Sequence, residues 1–208
     1  QNKWNTPAAY PVTIKGAGRD VWIVNVTIAN GYNGVDLTTD SGGHYVSYYC
    51  GFNYVNNITV DNSSSTGRLL NLHFNPHFYM RSQPLQWQQG WTSEEVQAHF
   101  TDMLSLLHQT LDGSVVLRGT TGEQTFGVFS YGGKTGLKLQ SGFEGLLYAA
   151  GFDGNVTGYQ VDNTGGTGAL FINANTDCVP SSAGEQSAYM KQSAGTVRMV
   201  NGGMASFN

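Results

Sequence analysis

The sequence predicts an all-β chain wound as a parallel coil, with one α-helix packed against its side. Short β-rich runs recur at a near-constant spacing, and alternate runs are set one full period apart, roughly two dozen residues. Between them lie Gly, Asn, Asp and Ser, the residues that favour turns. Against this rhythm stands a single segment with helical spacing.

The elements follow in order. Residues 1–20 form an entry segment: Pro7 and Pro11 oppose regular structure, Tyr10 to Ile14 fits a short strand, and Gly16-Ala17-Gly18-Arg19-Asp20 fits a turn. From Val21 the residues alternate, which places Trp22, Val24, Val26 and Ile28 on an inward face and Ile23, Asn25 and Thr27 on the other. Val46, Tyr48 and Cys50 repeat the inward pattern one period later, and Leu70, Leu72 and Phe74 repeat it again. This register stacks Asn25, Tyr49 and His73 on the outward face. Val35-Leu37 and Ile58-Val60 form a second series between these runs. Beyond residue 113 the same rhythm resumes in Ser114–Leu117, Phe126–Phe129, Gly136–Leu139, Leu146–Tyr148, Gly158–Val161 and Ala169–Ile172. Ala188–Met190 and Val197–Val200 carry it on. Between the halves, Thr92-Ser93-Glu94-Glu95 offers a hydroxyl N-cap and acids in a first turn. Val96, Phe100, Met103, Leu104, Leu107 and Leu111 follow at helical spacing, so a helix is expected over 93–111, closed by Gly113.

Three features favour a parallel coil over an antiparallel meander. The turns are heterogeneous rather than of a uniform two-residue type. Small and polar residues recur at strand ends, and inward faces match at one full period. The reading is one domain over 1–208, an excerpt or processed part of a longer coil, with residues 80–113 as an inserted segment bearing the helix. About seven coils at ~4.8 Å per strand give a rod ~30 Å long. A terminal rung leaves backbone groups unpaired, so assembly with other chains through the coil ends is an expectation too.

Composition excludes several classes. Only 12% of residues are charged and just ten are Lys or Arg, with a net charge of -4, which leaves no basic surface for nucleic acid. The aromatic residues (11 Tyr, 10 Phe, 4 Trp) argue against disorder. No apolar run is long enough to span a membrane as a helix. The two cysteines, Cys50 and Cys178, read as buried thiols or a single disulfide, with the thiol reading preferred. Asn25, Asn57, Asn62 and Asn155 begin Asn-x-Ser/Thr sequons, which carry meaning only in a secreted eukaryotic chain.

The runs Val21–Ile28, Asn57–Val60, Phe74-Asn75-Pro76-His77-Phe78-Tyr79 and Gly151-Phe152-Asp153-Gly154-Asn155 resemble the pectin-lyase-like superfamily. That resemblance implies a right-handed, single-stranded parallel β-helix, an extracellular location, and a polysaccharide or glycan partner. Its members include polysaccharide lyases, glycoside hydrolases, fructotransferases and phage tailspikes. Asn175-Thr176-Asp177 looks like the first acidic motif of the polygalacturonase branch, but the paired aspartates, Gly-His-Gly and Arg-Ile-Lys of that branch do not follow, and the mechanism is not carried over.

Glycosidic bond cleavage needs two carboxyls, about 5–5.5 Å apart for retention or about 6.5–9.5 Å for inversion. A coil supplies such pairs by stacking acids one rung apart. Asp40 with Asp61, and Asp153 with Asp177, have spacings that permit it. The preferred pair is Asp153 with Glu144, because Asp153 sits in a Gly-Phe-Asp-Gly turn beside Phe143, Tyr148 and Phe152. His73, Asn75, His77 and Tyr79 alternate along one strand and, with Tyr49, are the expected substrate-binding residues. The opposing reading has the inserted helix covering this face, making the histidines packing. No cofactor is expected. The acids are too scattered for calcium and the histidines lack a third ligand for zinc. Two functions stay open: an enzyme acting on polysaccharide, or a non-catalytic fibre, tailspike or adhesin-type β-helix that binds glycans or assembles.

Overall fold

The computed structural model describes residues 13–78, 90–180 and 186–206. Its first half holds strands β1 (Ile14–Ala17), β2 (Trp22–Thr39), β3 (Tyr45–Ser63) and β4 (Arg68–Phe74), then helix α1 (Ser93–Thr110). The second half holds β5 (Gly113–Thr120), β6 (Glu123–Tyr131), β7 (Thr135–Gln140), β8 (Phe143–Tyr148), β9 (Gly151–Asn155) and β10 (Thr157–Val161). It ends with β11 (Thr164–Ile172), β12 (Asn175–Cys178), β13 (Ala188–Gln192), β14 (Val197–Val200) and β15 (Gly203–Ser206). All 15 strands join one sheet, and every pairing in it is parallel.

The sheet curls round one core, and the chain returns to the same ladder at near-constant intervals. Trp22 faces Tyr45, and Tyr45 faces Arg68 by the same step along the chain. Val115 faces Leu137 and Leu137 faces Tyr159, again by one constant step. One step is far longer: Ile58 faces Val115, and the chain between them carries α1. The solenoid-like rhythm read from the sequence is therefore the pairing register of the sheet.

The predicted inward faces need correction. Trp22 is 74% exposed and Tyr48 56% exposed, while Tyr49, expected outward, is fully buried. The cause is a left-handed residue recurring at one position of the repeat. Asn25, Tyr48, Asn71, Gly127, Ala149, Asn173 and Asn201 have φ between 51° and 65° and occupy equivalent register positions. A left-handed residue turns the strand through a corner and shifts its alternation by one. Inward residues therefore lie three apart across it: Val46 and Tyr49, Leu69 and Leu72, Leu147 and Ala150, Phe171 and Ala174. Asn tolerates this conformation and Gly127 adopts it freely, which explains the residues at five of the seven positions.

Helix α1 forms where expected. Thr92 caps it, accepting from Glu95 N–H at 3.2 Å, and the Glu95 carboxylate accepts from Thr92 N–H at 2.7 Å. The helix ends at Leu111 rather than running to a glycine cap, because Gly113 already begins β5. Val96, Phe100, Met103 and Leu107 pack with Phe52 and Tyr54 of β3, a second apolar cluster outside the coil. Each such burial contributes about 1.5–3 kcal/mol.

One ion pair is sealed inside. His44 Nε2 lies 3.1 Å from Glu123 Oε1, with neither side chain exposed, and His44 Nδ1 lies 2.8 Å from the Ser41 carbonyl. Burial alone would lower the His44 pKa. The hydrogen bond and charge of Glu123, with the Ser41 carbonyl, outweigh it and hold His44 above its ordinary value. Cys50 and Cys178 are both free thiols. Asn57 and Asn155 are fully buried, so those two sequons present no side chain to modify in the folded state.

Candidate active site

Past the left-handed corner the chain enters the ladder that runs β6, β9, β12 and β15. Phe152 and Thr176 point inward from it and are buried. One residue earlier along each strand, on the outer side, His73 faces Phe129, Phe129 faces Gly151, and Gly151 faces Asn175. Two residues further along, Tyr131 faces Asp153 and Asp153 faces Asp177. The two carboxylates thus stand on adjacent parallel strands at equivalent positions, with backbones ~5 Å apart.

Their surroundings disfavour charge. Burial and the neighbouring Asp177 raise the Asp153 pKa, and burial raises that of Asp177. Asp177 Oδ1 is buried and has no hydrogen-bond partner among the described residues. The backbone beneath is held firmly. Asn155 Nδ2 donates to the Asp153 carbonyl at 3.1 Å, and Gly133 N–H donates to Asn155 Oδ1 at 2.8 Å. Asn155 is thus a structural amide at the foot of the pair.

The end of α1 stands beside this ladder. His108 Nε2 bonds the Gly154 carbonyl at 3.1 Å, which fixes that nitrogen as the N–H donor. Burial lowers the His108 pKa against the opposing effect of that carbonyl, so the ring is neutral at pH 7. Tyr131 lies over Gly154, where a Cβ would come 2.7 Å from its ring, so only glycine lets the ring sit there. His77 in turn rests between Phe100 of the helix, 4.3 Å away, and Tyr131, 5.6 Å away. Asn75 Oδ1 holds His77 through its backbone N–H at 2.9 Å and Nδ1 at 2.8 Å. His73 is set edge-on against Phe78 and Phe129, each at 5.0 Å.

The residues expected from the sequence therefore separate. β4 ends at Phe74, so Asn75 and His77 do not alternate with His73 along one strand, but His77 packs on Tyr131, which faces Asp153 and links the histidine side to the carboxylate side. Tyr49 does not belong there: its hydroxyl donates to the Asn57 carbonyl at 3.0 Å inside the coil, and burial raises its pKa. Glu144 does not face Asp153. It sits on β8, before the corner at Ala149, and accepts from Thr167 Oγ1 at 2.7 Å. Asp177 takes the place expected of Glu144, as its spacing of one period from Asp153 allows. Asp40 and Asp61 do not stack, since Asp61 faces and pairs with Arg118 at 2.8 Å while Asp40 pairs with Arg19. Tyr79 lies outside the described residues. Tyr131 and His108 were missed, because only the three-dimensional register brings them beside Asp153.

No group of three or more His, Cys, Asp or Glu side chains converges on a metal position among the described residues. No protein-family profile, curated protein or solved structure matches this chain.

Proposed function

We propose that the chain is a right-handed parallel β-helix of about seven coils, of pectin-lyase-like type, and that it cleaves or transfers glycosidic bonds of an extracellular polysaccharide. One observation carries this reading: Asp153 and Asp177 stand in register one rung apart, both with raised pKa values and one with a buried, unpartnered oxygen. Carboxyls on adjacent strands, whose backbones are ~5 Å apart, are close enough for the retaining arrangement, which needs about 5–5.5 Å between them. Burial of both carboxyls, with the charge of Asp177 acting on Asp153, favours a protonated carboxyl beside an ionised one. The protonated carboxyl gives its proton to the leaving oxygen as that bond breaks. The ionised one attacks the anomeric carbon, and water then releases the sugar with the first carboxyl acting as base. Tyr131 and the neutral His108 flank the pair.

Release of reducing ends from a panel of plant, microbial and fructan polysaccharides tests this. The wild-type chain is expected to release product from one class. Asp153→Asn and Asp177→Asn are each expected to reduce the rate about 10²–10⁴-fold. Product release unchanged in both variants, or absent on the whole panel, overturns it.

A second reading, a non-catalytic glycan-binding or fibre-type coil, draws on the last rung. Among the described residues no strand pairs beyond β13, β14 and β15. There Met190 and Met199 are only partly buried, and Met204 is exposed. Such a rung suits stacking against another chain. Retained glycan binding without product release would favour it.

A further inference from the structure

A different face of the coil, formed by β3, β5 and β7, holds an open groove of about 230 Å³. Thr59, Asp112, Val116, Arg118, Lys138 and Gln140 line it. The register explains the convergence: Thr59 faces Val116 and Val116 faces Lys138, while Asp61 faces Arg118 and Arg118 faces Gln140. Two rows, polar except at the buried Val116, thus run side by side across the rungs.

The charges are arranged in compensated pairs. Arg118 Nε donates to Asp61 Oδ2 at 2.8 Å, and Lys138 Nζ donates to Asp112 Oδ2 at 2.6 Å. Gln140 Nε2 donates to Asp162 Oδ2. These bonds leave the terminal guanidinium nitrogens of Arg118, two N–H of Lys138 and the amide oxygen of Gln140 without protein partners among the described residues. The Thr59 hydroxyl adds a group that both donates and accepts. Donors and acceptors therefore both face the groove, and each of its two cations is already paired with a carboxylate. An anion gains little from such a surface, but a hydroxyl, which donates and accepts at once, is served by it. The volume lies below the ~300–1,000 Å³ of pockets for drug-sized ligands, which suits a single small ring.

We propose that this groove binds one neutral pyranoside residue of a glycan chain. This adds a binding subsite to the carbohydrate activity proposed above, on a face that does not include Asp153 or Asp177. It rests on that reading for the ligand class, yet the two can fail separately.

The test uses the full chain carrying Asp177→Asn, so that probes are consumed slowly. Backbone amide shifts are followed by NMR as xylohexaose, cellohexaose, mannohexaose and hexagalacturonate are titrated in. A neutral hexasaccharide is expected to shift the amides of Thr59, Arg118 and Gln140. Thr59→Leu, which fills the groove, and Gln140→Ala, which removes an acceptor, are each expected to weaken binding at least tenfold. Far-UV circular dichroism checks that each variant folds, and Gln140→Ala decides if Thr59→Leu does not. Shifts at the groove from hexagalacturonate alone, no groove shifts from any neutral probe, or undiminished binding in a folded variant overturns the proposal. Shifts confined to the Asp153 region, with product release by the wild type, remove the groove and leave the activity. Groove binding by a wild type that releases no product from any polysaccharide does the reverse.

Discussion

The outer face of the β6–β9–β12 ladder has two halves with the same backbone and different fates. In the lower half His73 is packed between Phe78 and Phe129, and His77 between Phe100 and Tyr131. There polar rings serve as packing beneath the inserted segment. One and two rungs above Tyr131, Asp153 and Asp177 carry carboxyls whose charge the fold disfavours. The comparison teaches that chemistry on a repetitive coil is set by what covers each rung, since the ladder itself is alike throughout. The last turns of α1 mark the boundary, with His108 bonded to Gly154 next to Asp153.

Substitutions on the two sides should therefore separate activity from stability. The largest effect belongs to the upper half: Asp153→Asn loses about 10²–10⁴-fold in rate, read by product release, with the fold intact. Next is Phe100→Ala in the lower half, which removes the ring under His77 and is expected to cost about 3–5 kcal/mol by chemical denaturation. Parallel loss of activity in Phe100→Ala, at temperatures where it remains folded, would blur the distinction.

A smaller effect tests the shared backbone. Asn71→Val places a β-branched residue at a left-handed corner (φ 53°) and is expected to destabilise by about 1–2 kcal/mol, read by denaturant midpoint. An unchanged midpoint would mean that the corner bends elsewhere.

The smallest effect concerns pH. A carboxyl whose folded pKa is raised binds its proton more tightly when folded. It therefore adds stability below its unfolded value, near 4, and loses that contribution as pH rises through the folded value. Asp177→Asn should accordingly raise the melting temperature at neutral pH and flatten its decline above pH 4. His44 is also raised, so its contribution is full below about pH 6.5 and fades as pH climbs through its folded value. The two windows are distinguishable because only the lower one responds to Asp177→Asn.

Much of the fold was legible because its period is written in apolar runs. The helix was legible because Thr92, Glu95 and the stripe from Val96 to Leu111 are local signals. The inward faces were misread at Trp22, Tyr48 and Tyr49 because strict alternation assumes a straight strand. The correcting signal was present in Asn25, Asn71, Asn173 and Asn201, which hold the same register position in their repeats, though Tyr48, Gly127 and Ala149 interrupt the series. Asp153 was singled out as a turn residue, whereas it lies within strand β9, and its stacking with Asp177 follows from the period. Glu144 drew attention by closeness in sequence, whereas partners on a coil lie one period away. The His44–Glu123 pair joins distant parts of the chain and carried no local mark.

The pairing of Asp153 with Asp177 is the central claim, and a carbon-13 NMR titration of the Asp153 carboxyl tests it most directly. In the wild-type chain it should titrate above the ordinary aspartate range. In Asp177→Asn its midpoint should fall toward that range, because the neighbouring charge is gone. An Asp153 midpoint that is ordinary in the wild type, or unmoved by Asp177→Asn, would contradict the account.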